Sequence, residues 1–394
     1  MMRKSVSVAL ATVAFIVLVT TATNAQEWDN AISLYNQKQY RQAAKAFHAV
    51  LKANPEAWQS WYYIGTSHYN LQSYLDSIDA FTKYLAGAEK VKNEKEQGVA
   101  YYYIGFSNYQ LKQYDKAIPA LTKYLAITDK LKEKLEPNAR AALGRAYVFS
   151  DKFKEAIPVL TQSVTEIKNA TNYYYLGFSH QRLGQTEQAI TALNQGLTVD
   201  PKDADSLGLL GSLYLSQSSK NPQALKQAIA TGEKLVAVKD DEKAWSLLGQ
   251  AYLFDKQYAK AAPFLDKYAR AHADSGGAWL NLGFAYSRSS QWKPAAEALE
   301  QAAKLDPKNL TPLLELGYVY ESDKAPDKAL NAYERAYAAS GQTDASARSS
   351  IERLKAGNQQ PAANTQTGTK PATSTPPTTA KPQPARKKPV GTKR

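Results

Sequence analysis

The feature that most constrains this 394-residue chain is that it copies itself. The segment WYYIGTSHYNLQSYLDSIDAFTKYLA at 61–86 returns as YYYIGFSNYQLKQYDKAIPALTKYLA at 101–126, with fifteen of 26 positions identical. Self-similarity at a period of 34–40 residues marks an array of one supersecondary element rather than one globular core. Aligning a single small residue recovers the rest of the array. Ala31, Gly65, Gly105, Gly144, Gly177, Gly211, Gly249, Gly283 and Gly317 are separated by 34, 40, 39, 33, 34, 38, 34 and 34 residues.

An apolar residue precedes eight of the nine small residues. A large apolar or aromatic residue often stands three places further back (Trp61, Tyr101, Tyr173, Trp245, Trp279). About twelve residues after the small residue comes a second one, such as Ala117, Ala261 or Ala295. Four further on comes a large apolar residue, such as Phe81, Leu121, Leu265 or Leu299. Positions i, i+3, i+4 and i+7 share a helix face, so each repeat reads as two amphipathic helices. Glycine inside a helix costs about 1 kcal/mol against alanine. Its recurrence therefore predicts another helix passing close to the backbone. Pro55, Pro201 and Pro307 stand where a helix must stop.

The pattern resembles the tetratricopeptide repeat (TPR) family, whose signature is W-x2-L-G-x2-Y…A-x3-F…P over 34 residues. WLNLGFAY at 279–286, then Ala295, Leu299 and Pro307, carries the match. The resemblance implies an all-α, right-handed TPR superhelix of about nine helix-turn-helix repeats over residues 26–340. The repeats fall near 26–57, 58–97, 98–136, 137–169, 170–203, 204–241, 242–275, 276–309 and 310–340. Residues 341–356 read as a cap helix with Ile351 and Leu354 turned inward. The charged stretches at 86–98 and 126–138 are expected to prolong the second helices of the second and third repeats. The extra residues of the sixth repeat, 216–228, are expected between its two helices.

The ends differ from the array. Residues 1–25 read as a secretory signal: Arg3 and Lys4, an apolar run from Val6 to Val19, and small residues suited to cleavage after Ala25. An uncleaved inner-membrane anchor is the alternative. Residues 357–394 are rich in Pro, Thr, Ala and Lys and are expected to be disordered. They carry Lys370, Lys381, Arg386, Lys387, Lys388, Lys393 and Arg394 and no acid, which accounts for most of the formal charge of +13. With the tail and the two N-terminal cations set aside, the array is near +4. Nothing in that balance suggests a nucleic-acid partner. The chain contains no cysteine and four histidines, with no metal-ligand spacing and no phosphate-cradling glycine loop. No catalytic residue, cofactor or metal site is expected.

In TPR proteins certain first-helix positions face an inner groove. Carried onto this chain, they give a candidate partner site of Trp28, Tyr35, Tyr62, Tyr69, Asn70, Tyr102, Phe106, Tyr109, Phe149, Tyr174, Phe178 and Arg182. Aromatic rings supply large contact area at low entropy cost. They can equally pack against the next repeat. The chaperone-binding carboxylate clamp of the family is not reproduced, because Trp28 and Tyr62 stand where its lysine would be. The expectation is a non-catalytic scaffold of the bacterial envelope or periplasm that binds a protein, as a peptide or a helix. The alternatives are a cell-wall or glycan binder, with the basic tail drawn to an anionic polymer or lipid surface, and a self-assembling oligomer.

Overall fold

A computed structural model describes residues 22–134, 136 and 138–357. The signal-like residues 1–21 and the tail beyond Gly357, with its seven cations, lie outside the described residues. The described residues form nineteen α-helices and no strand. The first helices of the nine hairpins are α1 (Ala22–Asn36), α3 (Ser60–Asn70), α5 (Glu94–Gln110), α7 (Ala139–Phe149), α9 (Ala170–Arg182), α11 (Ala204–Gln217), α13 (Glu242–Phe254), α15 (Gly276–Arg288) and α17 (Thr311–Ser322). The second helices are α2 (Tyr40–Ala53), α4 (Tyr74–Lys90), α6 (Tyr114–Leu131), α8 (Phe153–Glu166), α10 (Thr186–Val199), α12 (Pro222–Val238), α14 (Tyr258–Ala271), α16 (Trp292–Leu305) and α18 (Pro326–Ala339). A cap helix, α19 (Ala345–Gly357), comes last. The chain divides into two compact lobes, one through Ala192 and one from Leu193, so the division falls within α10. No helix among the described residues is long and apolar enough to cross a membrane.

The small residue of most first helices does what its recurrence predicts. A Cβ built on Gly105 would lie 2.7 Å from Leu121, and one on Gly283 would lie 2.6 Å from Leu299. In both cases the close neighbour is the large apolar residue sixteen positions later, on the second helix of the same hairpin. Phe81, Leu121, Leu160, Leu265 and Leu299 are at most 1 % exposed. The hairpin is thus closed by a side chain entering the notch that glycine leaves.

Two local devices set the helix ends. Several first helices start at a side-chain cap: Asn93, Asn169, Asp203, Asp241 and Ser275 each accept a backbone N–H two or three residues ahead. The second helices of most hairpins start after a residue in the left-handed region. Lys38, Gln72, Lys112, Asp151, Lys256, Ser290 and Lys324 have φ between 57° and 61°, and Gly184 has φ 74°. That conformation closes the turn, as where Gln113 N–H donates to the Asn108 carbonyl at 2.9 Å.

The long repeats depart from expectation in an instructive way. Helix α4 does run on to Lys90, but α5 already begins at Glu94, so the boundary placed at residue 97 falls inside a helix. Nineteen places after the glycine these two carry Tyr84 and Tyr124, both buried, at a position that is Ser163, Ala302 and Ala336 in the fourth, eighth and ninth repeats and Tyr268 in the seventh. The extra residues wrap over those rings. The Tyr84 hydroxyl donates to the Glu96 carboxylate, and the Tyr124 hydroxyl accepts from Glu136 N–H at 2.9 Å. In the sixth repeat the inserted residues do not form a loop. They are taken up largely by α12, which has 17 residues against 14 in most second helices. The cap helix buries Ile351, and Leu354 packs beside it.

Candidate partner-binding face

Within each lobe successive first helices touch one another: α3 with α5, α5 with α7 and α7 with α9 in the first, α11 with α13, α13 with α15 and α15 with α17 in the second. Successive second helices make no comparably close pairs. The first helices therefore lie on the inner side of each stack.

On α1, α3 and α5 that side is aromatic. Tyr35 meets Tyr40 edge to face at 5.7 Å, Tyr69 meets Tyr74 at 5.7 Å, and Tyr109 meets Tyr114 at 5.7 Å, with interplanar angles of 69°, 71° and 64°. One T-shaped pair thus recurs in three successive repeats, between the end of a first helix and the start of its second. The pairs are tied to the next repeat. Tyr35 contacts Tyr63 at 5.2 Å, and Tyr69 contacts Tyr103 at 5.3 Å.

The remaining candidates take three different environments. Trp28 stands on edge against Phe47 at 5.3 Å, Tyr62 packs among Tyr63, Phe81 and Tyr84, and Tyr102 against Tyr103 and Tyr124. These three are half-buried and pack within their own hairpins, and Trp28 and Tyr62 also reach Tyr63 and Tyr103 of the next repeat. Phe106 is buried in the core of its repeat and is not offered to the face. Asn70 is exposed, as are Asn36 and Gln110 at the equivalent positions, and its amide donates to the Thr66 carbonyl at 2.7 Å. Further along, Phe149 stacks on Tyr114 at 4.8 Å, and Tyr174 stacks on Phe178 at 6.2 Å. The Arg182 guanidinium lies 4.6 Å from the centre of the Phe153 ring and 3.9 Å from Asp151.

Burial governs the protonation of these phenols. It raises the Tyr69 hydroxyl to about 12, helped by Tyr74 and opposed by the bond to Gln110. Burial likewise holds Tyr62 and Tyr102 well above the ordinary value of 10. The hydroxyls on the face are therefore neutral at physiological pH and act as hydrogen-bonding groups, not as bases. Among the described residues, no group of three or more His, Asp or Glu side chains is placed to hold a metal ion. His68 lies 3.8 Å from Asp76, and His180 Nδ1 is 2.6 Å from Gln185.

Two sets of residues at these joints are absent from the candidate site that the repeat positions give. Tyr63 and Tyr103 lie flat on Phe47 and Phe81 and join one repeat to the next. Tyr40, Tyr74 and Tyr114 complete the edge-to-face pairs. They recur nine residues after the small residue, so the spacing carries a signal for them.

Models of the tetratricopeptide repeat match residues 29–92 and 176–237, 99–127, and 276–309. No curated protein matches the chain. Among solved structures it is similar to YrrB, a TPR protein with an unusual peptide-binding site, at 18 % identity and a TM-score of 0.44, over 50 % of this chain and 97 % of that one. It is also similar to MamA of AMB-1, at 23 % identity and a TM-score of 0.39, over 45 % of this chain and 94 % of that one. The repeat models fall on the first, second, third, fifth, sixth and eighth hairpins. The chain belongs to the tetratricopeptide repeat family, whose all-α hairpin fold serves as a protein-interaction scaffold.

Proposed function

We propose that this protein is a non-catalytic adaptor of the bacterial envelope, and that it holds a partner segment against the aromatic face of α1, α3 and α5. The observation that carries the reading is the threefold Tyr–Tyr pair with an exposed amide beside each: Asn36, Asn70 and Gln110. Rigid rings bordered by adaptable polar groups make an economical recognition surface. The signal-like N-terminus supports the envelope as the place of action. The test is recovery of partners from envelope extract with the full chain and with its Tyr69→Ala/Tyr109→Ala variant. Phe106 is left intact, because its loss would damage the core. Unchanged recovery by a variant that melts normally would remove the face from consideration.

A further inference from the structure

We infer that the partner segment on this face is an uncharged, proline-rich peptide in the polyproline II conformation, an inference that rests on the binding face proposed above. Three observations carry it.

First, the rings are already engaged. Tyr35, Tyr69 and Tyr109 pack at steep angles against Tyr40, Tyr74 and Tyr114, and the first two also contact the next repeat. What remains for a partner is the uncovered part of each half-buried ring and the exposed amides beside it. Such a surface does not provide the broad apolar trough that an amphipathic helix needs.

Second, the polar groups call for free backbone carbonyls. Asn70 directs one N–H to the Thr66 carbonyl and retains another, and the Gln110 amide is exposed. A helix has already committed its carbonyls internally. A polyproline II segment has no internal hydrogen bonds and leaves every carbonyl open, and its flat rings dock on aromatic steps.

Third, the first-helix positions of this face carry no charged side chain over three repeats: Trp28, Ile32, Tyr35 and Asn36, then Tyr62, Thr66, Tyr69 and Asn70, then Tyr102, Tyr109 and Gln110, with Phe106 buried beneath them. The Glu96 carboxylate lies close to Tyr62 but is already bonded to the Tyr84 hydroxyl. The first cation at these positions is in the fourth repeat, where the Arg145 guanidinium lies 5.7 Å from the centre of the Tyr109 ring. A charged ligand would lose hydration on this stretch without gaining a free partner.

The chain itself holds a stretch of the required composition. Residues 371–380, PATSTPPTTA, contain three prolines and no charge, and they supply the probe. Binding is read by fluorescence anisotropy with the full chain carrying Pro371→Ala, Pro376→Ala and Pro377→Ala, which removes that segment as a competitor. The labelled decapeptide is expected to bind, and replacing its three prolines with alanine lowers the affinity at least about fivefold. The variant Asn36→Ala/Asn70→Ala/Gln110→Ala, altered only at exposed positions, weakens binding by a similar factor with its melting temperature unchanged. Absence of binding, equal binding of the proline and alanine peptides, or full affinity in the amide variant each overturns the inference. An acidic peptide and an amphipathic helical peptide complete the set. If either binds in place of the proline probe and is lost with Tyr69→Ala/Tyr109→Ala, the face stands and only the proline chemistry fails. If no probe responds to the tyrosines, both readings fail.

Discussion

Tyr103 lies flat on Phe81, with ring centroids 4.3 Å apart and planes 6° apart. Phe81 is fully buried and fills the notch over Gly65, so one ring closes the second hairpin and carries the third. Phe81→Ala is expected to cost about 3–5 kcal/mol. Tyr103→Phe keeps the stack and loses only the hydroxyl, at a cost of about 1 kcal/mol or less. Urea unfolding monitored by circular dichroism measures both. Equal losses would show that the stack itself contributes little.

Two glycines in α15 should respond in opposite directions to the same substitution. A Cβ at Gly283 would meet Leu299 at 2.6 Å, whereas one at Gly277 has nothing within 4 Å. Gly283→Ala is expected to destabilise by about 1–3 kcal/mol despite its better helix propensity. Gly277→Ala should stabilise by up to about 1 kcal/mol. A rise in melting temperature for the first variant would contradict the notch.

The turns within the hairpins are built largely from residues that disfavour their own backbone. Lys112 sits at φ 59°. Lys112→Gly is expected to stabilise by about 1 kcal/mol, since a left-handed conformation strains a residue with a Cβ. Gly184→Lys, at φ 74°, should cost a similar amount. Thermal melts of the pair supply the comparison.

The cap helix should loosen in acid. Burial pushes the Glu321 carboxyl up, but hydrogen bonds from Arg353 at 2.6 Å and Tyr333 at 2.8 Å outweigh it and leave the group below the ordinary value of 4.5. A carboxylate with a depressed folded value stabilises the fold above its unfolded value, and that stabilisation is lost as pH falls through the folded one. Protection of α19 amides in hydrogen exchange is therefore expected to decline below about pH 4.5. In Glu321→Gln that pH step should disappear.

The array was readable because most repeats restate the same contact. Gly283 and Leu299 sixteen residues later are a pair in sequence and a pair in space. Residues whose partners lie in another repeat were harder to place. Periodicity shows that Tyr63 and Tyr103 are on a helix, but not that they meet Phe47 and Phe81 of the preceding hairpin. The candidate face was legible as a set of positions. Which rings would be exposed was not, because exposure depends on how closely neighbouring first helices approach: Phe106 is buried while Tyr109, three residues on, is not. The 40-residue spacing also came with a contact that periodicity does not show: Glu96, among the added residues, meets the Tyr84 hydroxyl.

The sixth hairpin lacks the contact that closes its neighbours. Sixteen residues after Gly211 stands Gln227, not a large apolar residue, and the space beside Gly211 is taken by Leu247 of α13. Gly232 of α12 likewise receives Leu248. This hairpin takes side chains of its successor into the spaces beside two of its glycines, so the packing density of the sixth repeat depends on the seventh being folded against it.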